Sequence, residues 1–237
     1  MKQLRVVTVL LCVSALAWAG EPWEKEFKSW TKEDAQKVMW DSPWGKRVVT
    51  KEEYVKESED KTTGGKRTAS EMERGMLRPT EFATAVWWSA HTPRRAYLRL
   101  FELTGQPVSL EQYKEVAEST LDMHVIALWE SKDVMARAAK LPPEELKKAV
   151  VLDSPRLKKK IPPAEVKIIE SAPGKPDRIV FSFPKEADGQ PLVTPEDKRL
   201  ILKWRLPRTD KETVEKARQF DAQFNPNKMI AAGQPDY

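Results

Sequence analysis

Cysteine is nearly missing from this chain. One residue in 237, Cys12, lies inside an apolar N-terminal run. If that run is a cleaved leader, the remaining protein has no disulfide, thiol nucleophile or thiolate metal ligand. Histidine is almost as scarce, with only His91 and His124, and neither belongs to an H-E-x-x-H pattern. Two isolated histidines are expected to be structural, and no metal is called for. Nine glycines are present, none spaced as a phosphate-cradling loop, and G-x-S-x-G does not occur. Two S-x-x-K matches, Ser29 to Lys32 and Ser182 to Lys185, are what chance gives in a lysine-rich chain. The second lies in a strand pattern broken by Pro184, without the helical spacing that chemistry requires. No cofactor site is readable.

A long hydrophobic run is also absent. Val6 to Ala17 is apolar apart from Thr8 and Ser14, shorter than the roughly 20 residues a spanning helix needs, so no stable membrane insertion is expected. Lys2 and Arg5 precede it and Ala17-Trp18-Ala19 follows, the charged, apolar and small-x-small order of a bacterial secretory signal. Residues 1–19 are therefore expected to be a signal peptide, and residues 20–237 a single domain that is periplasmic or secreted. Leu10 and Leu11 before Cys12 do not suit lipid modification.

Charge of one sign is lacking too. The formal net charge is +5, and removal of Lys2 and Arg5 leaves +3. With 32% charged residues of mixed sign, the chain has no field that would favour nucleic acid. Lys158-Lys159-Lys160 is the one dense basic spot, too short to change that.

Tryptophan, by contrast, is abundant, with nine residues of which Trp23, Trp30, Trp40 and Trp44 fall close together. They lie in a Trp-rich arm, residues 20–50. There Thr31 and Asp34 read as a capping box, and Ala35, Val38 and Met39 as a short apolar stripe. Ser42-Pro43 reads as a second helix start. Residues 51–80 are polar with Gly64-Gly65 and read as a surface loop, with a short strand conceivable near Val48 or Tyr54.

From residue 81 the pattern is that of a folded body. Phe82, Thr84, Val86 and Trp88 alternate with Ala83, Ala85 and Trp87, giving a strand covered on both faces. Thr92-Pro93 opens a helix with Ala96, Tyr97, Leu100 and Phe101 inward, closed by Gly105. Ser109 opens another, with Leu110, Tyr113, Val116 and Ala117 inward. "MHVIALWE" returns as a buried strand, so the two strands are expected to pair across the helices. A helix over 132–141 ends at Pro142-Pro143. Period-two segments follow, with Ile179, Phe181 and Phe183, then Leu200, Leu202, Trp204 and Leu206, then Phe220, Ala222 and Phe224 facing inward. The fold class is α+β, a mixed or antiparallel sheet with helices after a central strand and a C-terminal antiparallel meander.

The stretches "WTKEDAQKVMWDSPWGK", "VWWSAHTPRRAYLRL" and "FSFPK" resemble a group of uncharacterised bacterial secreted proteins. That group shares a W-[ST]-x-x-[DE]-A…S-P-W opening and a W-x-S-A…R-R-A centre. The resemblance implies export and a single unit, and brings no catalytic residues.

Three constellations remain as candidates. The arm tryptophans Trp23, Trp30, Trp40 and Trp44 either clamp the arm onto the body or form an aromatic binding face. Arg94, Arg95 and Arg99, with His91 beside them, crowd the start of a helix, where cations are disfavoured. Either an internal carboxylate such as Glu102 offsets them, or an anionic ligand does. Glu130 and Asp133 are the carboxylate pair best placed for acid–base work. The expectation is an exported non-enzymatic module binding an unknown protein or cell-envelope ligand. The alternative is a secreted hydrolase acting on an anionic substrate.

Overall fold

The capping box at Thr31 forms as its spacing predicts. Thr31 Oγ1 accepts from Asp34 N and an Asp34 oxygen accepts from Thr31 N, each at 3.1 Å. It starts helix α1, Lys32–Trp40, whose Ala35, Val38 and Met39 are buried. The computed structural model describes residues 20–55 and 76–237. The leader, residues 1–19, and most of the polar loop expected over 51–80 lie outside the described residues.

No second helix starts at Ser42. Its Oγ instead accepts from Trp44 N at 3.1 Å and Gly45 N at 3.0 Å and donates to Val38 O at 2.5 Å. A serine hydroxyl serves a tight turn as readily as a helix start. The turn leads directly into β1, Gly45–Val55, which pairs antiparallel with β2, Met76–Trp87. Both ends of the expected loop, 51–55 and 76–80, are therefore strand. Gly45 is required by a close approach, since a Cβ there would fall on the carbonyls of Met39 and Val38.

Helix α2 spans His91–Leu103, and Gly105 beyond it has φ +81°. Helix α3, Leu110–Tyr113, has a second capping box, Ser109 with Gln112, and continues into a π-helical turn, Lys114–Glu118. Leu110 is 71% exposed rather than inward, because α3 is a single turn and its interior contact passes to Ala117. Then come β3, His124–Trp129; α4, Lys132–Ala138; and α5, Pro143–Lys148. The helix expected over 132–141 stops at Ala138, short of Pro142-Pro143, and Pro143 begins the next, proline being well suited to a first helical position.

Strands β4, Val150–Ser154, and β5, Lys159–Ile161, precede the long hairpin of β6, Glu165–Ala172, and β7, Lys175–Phe183. A small hairpin follows, β8, Glu186–Ala187, and β9, Gln190–Pro191. Last come β10, Leu200–Trp204; β11, Phe220–Phe224; and the short pair β12, Ile230–Ala231, and β13, Gln234–Pro235.

The fold is α+β with antiparallel sheets. β2 and β3 pair across the intervening helices, antiparallel. The period-two strands of the C-terminal meander are shared between two sheets. β6 and β7 complete a five-stranded sheet of order β1-β2-β3-β7-β6, and β10 and β11 join a four-stranded one of order β11-β10-β4-β5. One face of the larger sheet sends Ala83, Ala85, Trp87, Ile126, Leu128, Ile179, Phe181 and Phe183 into the main core. There they meet Leu152, Leu200, Leu202, Trp204, Phe220 and Phe224 of the smaller sheet. The opposite face, through Val86, meets Trp30, Ala35, Val38, Met39 and Ala96 of the arm, α1 and α2. Both faces of β2 are thus covered, as its composition predicts.

No helix among the described residues is long and apolar enough to cross a membrane.

Candidate functional site

The tryptophans of the arm do not form a face. Trp44 is fully buried and Trp30 is 3% exposed, while Trp23 meets Trp44 edge-on at 5.4 Å. Only Trp40 reaches the exposed range, and Arg47 lies 5.6 Å from its ring. Two large rings sealed in the core make the arm a clamp.

The arginine set is divided by the helix it stands on. Arg94 is buried and spends its guanidinium on backbone carbonyls. Nε donates to Ala90 O, Nη1 to Val116 O and Ser119 Oγ, and Nη2 to Ser89 O and Ser119 O, at 2.7–3.2 Å. Val116 and Ser119 lie in and just beyond the π-helical turn, where carbonyls lack partners within the helix. Arg94 therefore closes the end of one helix from the start of another. Arg99 donates to Trp30 O at 3.1 Å and to Glu102 at 3.0 Å, the internal partner expected from its spacing. Arg95 is half-buried, with Phe27 beneath it at 6.0 Å.

The main offset to these charges comes from far along the chain. Ala90 precedes α2 and has no side chain to cap it. Asp236 does so instead, accepting from His91 N at 2.7 Å and Thr92 N at 2.9 Å, with His91 Nδ1 at 3.2 Å. Its backbone carbonyl accepts from Trp44 Nε1 at 2.5 Å. One residue thus ties the arm, α2 and the segment after β13 together. His91, Arg94 and Arg99 are all engaged internally; Arg95 differs, its Nε having no partner among the described residues.

His124 is 3% exposed, 5.5 Å from the Trp87 ring and 6.3 Å from Tyr237. Burial, aided by the charge of Lys185, pushes its pKa down to about 3. Its Nδ1 has no hydrogen-bond partner among the described residues, so it is structural but not fully satisfied.

Glu130 and Asp133 are separated, because α4 turns Asp133 to solvent. Glu130 instead faces inward at the end of β3. Its side chain has no exposure, Trp204 Nε1 donates to it at 3.1 Å, and Arg208 Nη1 lies 3.4 Å from both oxygens. Arg208 Nη2 also reaches Glu81 at 2.8 Å and Thr50 Oγ1 at 3.0 Å. The β1–β2 register slips between Val49 and Lys51, a bulge that brings Thr50 beside Glu81. Burial raises the pKa of Glu130 against the pull of Arg208. Burial also works against Glu81, but hydrogen bonds from Arg208 and Ser131 outweigh it and lower its pKa. The arrangement staples the two sheets and leaves Glu130 without access to solvent.

One cluster with open aromatic surface is not singled out by the sequence patterns. Trp88, just after β2, meets Tyr97 of α2 at 5.2 Å and Trp129 of β3 at 5.9 Å, all edge-to-face. Arg178 of β7 stands among them, 5.4, 5.6 and 5.5 Å from the rings of Trp88, Tyr97 and Trp129. All three rings and Arg178 are half-buried. Trp88, Tyr97 and Arg178 border a cleft of ≈ 250 Å³ between β7 and the π-helical turn, whose other wall includes Glu115, Val116 and Leu121; Trp129 packs on Trp88 without lining it. Arg178 Nη1 donates to Asp177 at 2.6 Å, and Nε has no partner among the described residues. The sequence signal was the polar Arg178 in a strand otherwise sending Ile179 and Phe181 inward. Only tertiary packing brings Trp88 and Trp129 to it. A π-helical turn beside a cleft is a frequent companion of functional sites.

No group of three or more His, Cys, Asp or Glu side chains among the described residues is arranged to hold a metal ion. Comparison with known proteins returns no match to a family model, a curated protein or a solved structure.

Proposed function

We propose that this chain is an exported, non-enzymatic module that holds a cell-envelope ligand or partner in the cleft bordered by Trp88, Tyr97 and Arg178. The observation that supports the reading is the cleft itself. Half-exposed aromatic rings are grouped around a guanidinium with donors to spare, the combination of flat apolar surface and few polar groups that binding sites use. Trp30 and Trp44 of the arm and Arg94 and Arg99 of α2 are committed to the fold, whereas the rings of this cleft are half-exposed beside Arg178.

A secreted hydrolase is the second reading, and one observation favours it. Glu130 and Glu81 share Arg208, and their environments move their pKa values in opposite directions, as acid–base pairs require. Its weakness is the sealed position of Glu130.

One experiment separates the two. The protein is titrated with solubilised envelope glycans and peptides while tryptophan fluorescence is followed, and the same mixtures are chromatographed for cleavage products. Saturable binding without products, weakened by Trp88→Phe, is the expected result. Products that disappear in Glu130→Gln establish the hydrolase instead.

A further inference from the structure

Resting on the binding reading above, we infer that the cleft takes a carboxylated sugar unit, its ring against Trp88 and Tyr97 and its carboxylate on Arg178. The shape of the site carries the first half. Trp88 and Tyr97, the two rings that line the cleft, meet at 80°, so they form a corner instead of a closed stack. A corner of aromatic faces suits the C–H face of a pyranose, which is flat and apolar on one side and hydroxylated at its edge. The ≈ 250 Å³ volume matches a single sugar unit better than an extended chain.

The charge of the site carries the second half. Its lining holds two guanidinium groups, Arg94 and Arg178, against one carboxylate, Glu115. Arg94 has spent its donors on carbonyls and a hydroxyl and adds only positive potential. Arg178 is different. Asp177 engages Nη1 alone, and Nη2 makes no hydrogen bond among the described residues. The three surrounding rings accept the cation through their π faces but offer no acceptor atom. A ligand oxygen is what such a guanidinium lacks, and a carboxylate supplies it with charge, which strengthens the bond. Neutral sugars would fill the ring corner and leave the charge unmet.

The test uses two trisaccharides of matched size, trigalacturonic acid and galactotriose, titrated calorimetrically into the full chain, its Arg178→Gln and Arg178→Lys variants and Trp88→Phe. The thermal midpoint of each variant is measured alongside. The acidic trimer is expected to bind at least ten-fold tighter than the neutral one. That preference should weaken in the unaltered chain as sodium chloride is raised, disappear in Arg178→Gln and partly return in Arg178→Lys. Trp88→Phe should weaken both sugars. The salt series needs no variant, so it stands even if Arg178→Gln does not fold. Equal binding of the two trimers, or an acidic preference untouched by Arg178→Gln in a folded protein, overturns the carboxylate assignment and leaves the binding module intact. If neither trimer binds while another envelope component does so through Trp88, the sugar assignment falls alone. If nothing tested quenches Trp88, the binding reading falls with it.

Discussion

Arg94 and Arg95 are adjacent on α2, yet a turn of about 100° per residue sends Arg94 inward beside Leu98 and leaves Arg95 half-exposed. The sequence reading treats the arginines as one set because charge alone does not reveal which face of a helix is occupied. Arg94 is tolerated because its donors are matched, by the carbonyls of Ser89, Ala90, Val116 and Ser119 and the Ser119 hydroxyl, and unsatisfied buried groups are costly. His124 is the opposite case, a buried titratable group without a compensating bond. Its folded pKa of about 3 lies below the ordinary value of 6.5, so between those values the unfolded chain binds more protons than the folded one. Stability is therefore fully present above about pH 6.5 and declines as pH falls toward 3, by an amount on the order of a few kcal/mol. His124→Leu removes the titration while keeping the volume apolar. Urea unfolding midpoints of the two proteins, measured from pH 7.5 to 4, should diverge, with the unaltered chain losing more on acidification. Parallel midpoints over that range would show that His124 remains accessible to protons when folded.

At the scale of elements, the arm behaves as part of the body. Trp44 illustrates why. It is fully buried, its amide neighbour Gly45 packs against the end of α1, its carbonyl accepts from Trp87 N at 2.7 Å and its indole donates to Asp236. Trp44→Ala should therefore cost about 3–5 kcal/mol, whereas Trp40→Ala, with its ring 37% exposed, should cost well under about 1 kcal/mol. Chemical denaturation of both variants checks the contrast, and backbone hydrogen exchange across 23–46 should be as slow as in β2 and β3. Elements with a strong local signal were legible. The Thr31 capping box, the helix start at Ser109, α2, and the alternation in β2, β7, β10 and β11 all follow from spacing and composition. What escaped was set by tertiary context. β1 is half charged because it lies at the edge of the sheet, so beyond the short strand conceivable near Val48 or Tyr54 its full length was hidden behind a loop-like composition. Ser42-Pro43 carries chemistry common to turns and helix starts, and only the chain reversal onto Gly45 decides between them. Of the candidate sites, the arginine partner Glu102 was readable at three residues' spacing. The Asp236 cap, 145 residues from His91, had no local trace, and neither did the convergence of Trp88, Trp129 and Arg178.

For the whole molecule, the decisive relation is between the two sheets, which period-two patterns do not distinguish because an inward residue reads alike whichever sheet it belongs to. Apolar contact between sheets has no direction of its own; polar contacts supply it, one from Trp204 to Glu130 and a larger set from Arg208. It follows β10 of the smaller sheet and reaches Glu130 of β3, Glu81 of β2 and Thr50 of the β1 bulge in the larger one. Removing one member of a buried ion pair leaves the other uncompensated, at a cost of about 3–5 kcal/mol. Arg208→Ala should therefore destabilise the fold by that order at pH 7. The pH dependence identifies the cause. Burial already raises the pKa of Glu130 and Arg208 opposes that rise, so losing Arg208 lets it climb further above the ordinary carboxyl value of 4.5. Folded Glu130 then takes up a proton where the unfolded chain does not, and the variant loses stability as pH rises from about 4.5 through the new folded value. Glu81, whose pKa Arg208 holds down, gives the unaltered chain stability that is present above about pH 4.5 and fades as pH falls below it, so its window adjoins that of Glu130 and both acids push in one direction. The deficit of Arg208→Ala relative to the unaltered chain should thus be largest at pH 7 and shrink toward pH 4. Glu130→Gln added to Arg208→Ala should recover part of it at pH 7 and little at pH 4. A deficit that is constant with pH would assign the role of Arg208 to its packing over Phe220, 5.3 Å away, and not to its charge.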